Sequence, residues 1–103
     1  MNWTLIKEKY PKAEELADNW GDTHTIDWRQ SDRWLYDFFD EQGIYINISR
    51  EYLWEGEYDT NPRREWQGFI EYEPSSEATD FYNTRTEAEE QAFIKAFEIL
   101  EDK

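Results

Sequence analysis

Trp34-Leu35-Tyr36-Asp37-Phe38-Phe39-Asp40-Glu41-Gln42-Gly43-Ile44-Tyr45-Ile46-Asn47-Ile48 changes its hydrophobic period at the glycine. Before Gly43, the residues Trp34, Leu35, Phe38 and Phe39 recur at the spacing that gathers side chains on one face of a helix, and Asp37, Asp40 and Glu41 take the other face. After it, Ile44, Ile46 and Ile48 alternate with Tyr45, Asn47 and Ser49, which is the period of a half-buried strand. Glycine suits the junction because it lacks a Cβ and enters the left-handed backbone that ends many helices. Upstream, Ser31 is placed to cap the helix and Asp32 to stand in its positive first turn. The stretch therefore predicts a helix over 31–42 running through Gly43 into a strand from 44.

Downstream, Tyr52 and Trp54 keep the even-numbered parity of the strand, and Asp59-Thr60-Asn61-Pro62 is a turn cluster. Trp66, Ile70 and Tyr72 resume the even parity and stop before Pro74, so the two runs read as an antiparallel hairpin. Residues 74–80 read as a loop, and Phe81-Tyr82-Asn83 as a short third strand. Thr86 and Glu89 have the spacing of a capping box, in which each side chain satisfies the other's orphan backbone N–H. Ala92, Phe93, Ala96, Phe97 and Leu100 then form a core stripe, which predicts a terminal helix over 86–101. Upstream of the opening stretch, Trp3, Ile6 and Tyr10 are helical in spacing, Pro11 breaks the run and suits the first position of a new helix, and Ala13, Leu16, Ala17 and Trp20 continue it. Gly21 is the expected stop. The sum is an α+β fold, one domain over 1–103, of order α-α-β-β-(β)-α. A small antiparallel sheet (hairpin plus a third strand) carries helices packed on one face. Trp34, Leu35, Phe38, Ile46, Ile48, Phe93, Ala96, Phe97 and Leu100 are the predicted core.

The chain has 103 residues with 25 acidic and 11 basic side chains, a formal net charge of −14. Contact with a phosphate backbone needs clustered Lys and Arg, so the balance argues against direct nucleic-acid binding and against an anionic membrane. The charge either keeps a monomer dissolved or addresses a basic partner. There are 6 Trp, 7 Tyr and 6 Phe and no Val, so aromatic rings must build most of the core, with some Trp and Tyr left at the surface. Without cysteine there is no disulfide and no thiolate metal site, as fits a reducing, cytoplasmic setting. No run reaches the roughly 18 apolar residues of a membrane span, and Met1–Glu8 does not read as a signal peptide. The expected state is a monomer or weak homodimer.

Chemistry is thinly supplied. His24 is the single histidine, flanked by Asp22 and Asp27 in a polar loop with no nucleophile at motif spacing. Ser31, Ser49, Ser75 and Ser76 stand in no nucleophile-elbow context. Glu55, Glu57 and Asp59 alternate and would share one face of an extended strand, but no EF-hand pattern accompanies them, and a solvated hairpin end explains them as well. The glycines Gly21, Gly43, Gly56 and Gly68 form no phosphate loop. No catalytic, cofactor or metal residue is assigned, and the expected class is not an enzyme; a hydrolase built on carboxylates is the least supported alternative.

Two surfaces remain. On the terminal helix, Glu87, Glu90, Glu98 and Glu101 fall on one stripe opposite the core, with Ile94 in its middle. That is either an ordinary solvated face or a docking face for a basic surface, including one built for nucleic acid. On the sheet, parity sends Tyr45 and Phe69 to the face opposite Ile44, Ile46 and Ile70. An open aromatic face suits ligand binding or self-association. Salt separates the two functions, since ion-driven association weakens with salt and apolar association holds.

The block Leu35–Ile48 and the tail Thr84–Glu101 resemble short uncharacterised acidic proteins encoded in gut-bacterial genomes and their phages or integrated elements. The resemblance implies a mobile-element origin and favours host-directed inhibition; it carries no catalytic residue with it. The order α–β–β–β–α is also similar to that of double-stranded-RNA-binding domains. Their basic phosphate-contacting residues are missing, so that likeness implies fold and not function.

Overall fold

Gly43 has φ 78°, in the left-handed region, and its N–H donates to the Asp40 carbonyl at 3.1 Å while Gln42 N–H donates to Phe39 at 2.9 Å. The helix closes there and the strand begins at the next residue, as the change of period requires. The computed structural model describes residues 1–24, 33–53 and 63–102. Within them the elements are α1 (Trp3–Lys9), α2 (Pro11–Thr23), α3 (Trp34–Glu41), β1 (Ile44–Leu53), β2 (Arg63–Tyr72), β3 (Ser75–Ala78) and α4 (Arg85–Glu101). The fold is α+β, with an antiparallel sheet of order β1-β2-β3. None of the helices is long and apolar enough to cross a membrane.

Asn2 Oδ1 accepts from Leu5 N–H to cap α1, Tyr10 breaks the helical backbone, and Pro11 opens α2. Gly21 does not stop α2, which continues to Thr23. Ala13, Ala17 and Gly21 are buried one above another, while Leu16 is exposed, so the inward face of α2 is a stripe of small residues and Gly21 belongs to it. Ser31 and Asp32, the expected cap of α3, and the turn at 59–62 lie outside the described residues. Regular helix starts at Trp34, with Arg33 in the N-cap position and no side-chain cap bond.

In the β1–β2 hairpin Ile44 pairs with Tyr72, Ile46 with Ile70, Ile48 with Gly68 and Arg50 with Trp66. The third strand is β3, in the stretch read as a loop, and not residues 81–83, where Tyr82 makes a single bridge to Trp66. All four β3 residues are exposed, so the strand has no hydrophobic alternation to betray it; its pairing with β2 is made by backbone alone. The tight connection is Glu73-Pro74, whose peptide bond is cis.

Phe38, Phe39, Phe93 and Phe97 are fully buried with Ile6, Leu35, Ile44 and Ile70. Phe39 meets Phe97 edge-on at 5.0 Å. Trp3, Trp34 and Trp20 stack in a row with ring centroids 6.0 and 5.9 Å apart. Trp20 Nε1 donates to the Glu41 carboxylate, tying α2 to α3. Ile46 and Ile48 are only half-buried, a correction to the predicted core: among the described side chains of the sheet, full burial is confined to Ile44, Gly68 and Ile70.

Helix α4 rests very close to β2. A Cβ on Gly68 would lie 2.8 Å from Ala92 Cβ, 3.2 Å from Thr79 Cγ2 and 3.3 Å from the Ala88 carbonyl oxygen. Ala88, Ala92 and Ala96 leave room for that approach. Thr79, the buried polar residue beside them, accepts from Gly68 N–H at 2.9 Å through Oγ1 and donates to the Asp80 carbonyl at 2.8 Å. The cap of α4 also differs from expectation. Thr84 Oγ1 accepts from Glu87 N–H at 3.2 Å, so the T-x-x-E pattern in use begins two residues before Thr86. Glu89 instead accepts from the Tyr36 hydroxyl at 2.8 Å.

Candidate functional site

The even-numbered face of the sheet is the covered one. Ile44 and Ile70 are buried there, and Gly68 faces Ala92 of α4. Strand geometry sends the odd-numbered side chains the other way. On that side Tyr45 is opposite Glu71, Asn47 opposite Phe69, and Phe69 opposite Ala78. Tyr45 is 55 % exposed, Glu71 is exposed and Phe69 is half-buried. Two shallow grooves on this face both include Phe69 and Glu71, and one also includes Tyr45. Glu51 and Glu65 lie opposite each other further along the same parity, with Arg63 beyond them at the start of β2.

A further pair of grooves flanks the β2–β3 turn. One is lined by Tyr45, Glu71, Pro74 and Ser76 among others, the second by Glu77, Glu98, Ile99 and Asp102; Tyr72 and Glu73 belong to both. The second lies at the C-terminal end of α4, where the helix dipole is negative and the last turn holds no basic residue. The local field shows in Tyr10, whose phenol is raised above its usual value first by burial and then by the Glu98 and Asp102 carboxylates.

The acidic stripe predicted on α4 divides among different surroundings. Glu87 is exposed near the helix start, where its charge, after burial and Asp80, helps raise Tyr82. Glu90 is half-buried, and Ile94 is half-buried and packed against the core, so neither lies fully exposed as expected. Glu98 lines the groove with Tyr72 and Ile99. Glu101 is half-buried, and its Oε2 accepts from Ala13 N–H at 2.8 Å. That bond satisfies an orphan donor in the first turn of α2 and puts a carboxylate at the positive end of its dipole.

His24 closes α2. Its ring stacks on Trp20 with centroids 3.8 Å apart, and Nδ1 lies 2.8 Å from the Trp20 carbonyl oxygen, a distance at which a protonated Nδ1 donates. Tyr36 is pushed well above the ordinary tyrosine range, chiefly by burial and then by its bond to Glu89, with Arg85 opposing. Glu55, Glu57 and Asp59 lie outside the described residues; among the described ones, no group of three or more His, Asp or Glu is arranged to hold a metal ion.

The chain matches no protein-family model, and neither the curated proteins nor the solved structures contain a match to it. Sequence reasoning missed the groove at the β2–β3 turn and the capping role of Glu101. The first is assembled from residues 72–77 and 98–102, and the second joins positions 88 apart, so neither leaves a local pattern.

Proposed function

We propose that this protein is a small acidic protein-interaction module whose partner presents a basic surface, such as one otherwise used for nucleic acid. The observation that carries this reading is the uncovered sheet face, where exposed Tyr45 stands opposite Glu71 with no described cation beside it, on a chain of net charge −14. Interfaces favour aromatic anchors, and complementary charge speeds encounter and sets partner choice. The protein does no chemistry of its own in this reading. It works in the cytoplasm, and a mobile-element origin would make the partner a host protein.

The exposure of Tyr45 also supports a second reading, an aromatic surface for a ligand or for weak self-association. Titration of a fluorescent peptide of alternating arginine and serine, at low and high salt, separates the two. Basic-partner binding appears as saturable association that weakens steeply with salt. Failure to bind the peptide at low salt, with sedimentation showing concentration-dependent dimers instead, would replace the first reading by the second.

A further inference from the structure

The grooves on either side of the β2–β3 turn share Tyr72 and Glu73, so they form one path around the end of the sheet. The path starts on the uncovered face at Tyr45 and Glu71, passes the turn, and ends between Tyr72 and Ile99 on the helix side. We propose that this path docks an extended segment of a partner protein bearing arginine or lysine side chains. The inference rests on the reading that the partner is basic, and adds where the partner lies and in what conformation.

Charge and shape agree on that occupant. Among the described residues, every charged side chain lining the path is a carboxylate: Glu71 and Glu73 on one side, Glu77, Glu98 and Asp102 on the other. Between them stand Tyr45, Tyr72 and Ile99, apolar surfaces on which the methylene stems of Lys or Arg can lie while their heads reach the carboxylates. A guanidinium also stacks on a tyrosine ring, which a hydrated metal ion does not. The carboxylates do not converge as metal ligands do; no such group exists among the described residues. A second copy of the chain is a poor occupant, because it too has net charge −14. The end of α4 supplies a further attraction. Glu98 and Asp102 add charge to the negative helix terminus, like charges that a bound cation would relieve.

The dimensions suit an extended chain. Neighbouring strands are about 4.8 Å apart, so crossing from Tyr45 on β1 to Ser76 on β3 covers about 10 Å, which about three extended residues span. A few more carry the segment over Glu73-Pro74 to Ile99.

The test measures the affinity of the arginine–serine peptide by fluorescence anisotropy at low salt for three surface variants. The first, Glu98→Gln with Asp102→Asn, alters the helix-side groove. The second, Tyr45→Ser with Glu71→Gln, alters the sheet-side groove. The third, Glu87→Gln with Glu90→Gln, removes the same charge as the first from the far end of α4. Each of the first two should weaken binding about tenfold, and the third by less than about twofold. An acidic peptide of alternating glutamate and serine should not bind. If wild type binds the basic peptide and all three variants bind alike, or all three lose affinity equally, the path is not the site although the basic-partner reading stands. If wild type itself does not bind, that reading falls and the path falls with it.

Discussion

Replacing Gly68 with alanine tests how closely α4 rests on the sheet. The new Cβ would stand 2.8 Å from Ala92 Cβ, where carbon atoms prefer about 3.5–4.0 Å. Something must give by about 0.7–1.2 Å on that contact distance. The neighbours are poorly placed to yield, since Ala92 and the Ala88 carbonyl belong to the helix that also buries Phe93, Ala96 and Phe97. Overpacking of this kind costs about 1–3 kcal/mol. Against it stands a gain of about 0.4–1 kcal/mol from the reduced freedom of the unfolded chain, which applies because Gly43 is the described glycine with positive φ and Gly68 is not. The net expectation is a loss of about 1–2 kcal/mol. Ala92→Gly alone should cost about 1 kcal/mol in helix propensity. Combined, the two should lose less than their sum by about 1 kcal/mol, because the second change removes the atom that the first strikes. Urea unfolding followed by tryptophan fluorescence reads this as a shift in midpoint at constant slope. A Gly68→Ala protein as stable as wild type, or a strictly additive double variant, would mean that α4 stands further from β2 than described.

Three other outcomes are expected. Thr79→Val keeps the shape but strands the buried Gly68 N–H, so it should cost about 1–3 kcal/mol, with Thr79→Ser recovering most of that in the same urea assay. Glu101→Ala removes the acceptor for Ala13 N–H and should cost about 1 kcal/mol, seen together with faster amide exchange in the first turn of α2; Glu101→Gln should lose less, since an amide oxygen still accepts. The raised phenol of Tyr36 gives stability that is complete below the ordinary tyrosine value of 10.0 and is lost as pH rises beyond it, because the unfolded chain gives up the proton first. Tyr36→Phe should flatten the alkaline limb of the stability curve and remove one tyrosine from the late-ionising part of an absorbance titration.

The change of period at Gly43 was enough to read α3, β1 and the junction between them, and side-chain parity was enough to pair β1 with β2. Both signals are local and both concern half-buried elements. β3 escaped because Ser75, Ser76, Glu77 and Ala78 bury nothing, and pairing of backbone groups leaves no trace in side-chain pattern. The cap of α4 was misplaced because Thr84 and Thr86 each precede an acid by three positions, so two registers compete and local sequence does not choose. Gly21 misled for a different reason. A small residue at a helix end and a small residue in a packed stripe look alike until the neighbour that packs there is known. The acidic stripe shows the same limit at the surface. Helical spacing put its carboxylates along one helix, but Glu101 is engaged by Ala13 of α2 and Glu98 lines a groove with Tyr72 and Glu73, and those neighbours define the surroundings of each carboxylate.

The bond from Ala13 to Glu101 also has a meaning in time. On the ribosome, α1 and α2 emerge first, with 7 and 13 residues, lengths at or below the roughly 12–15 at which an isolated helix is marginal in water. Their inward residues, Ile6, Ala13 and Ala17, belong to the same cluster as Phe93, Phe97 and Leu100. The amino-terminal helices can stack Trp3 and Trp20 on Trp34 once α3 is made, but the part of their packed face that α4 supplies and their distant cap are missing until the segment around Glu101 has been made and has left the exit tunnel. Completion of the core waits for α4, and a nascent chain stalled before that point would present α1 and α2 to chaperones and proteases incompletely docked.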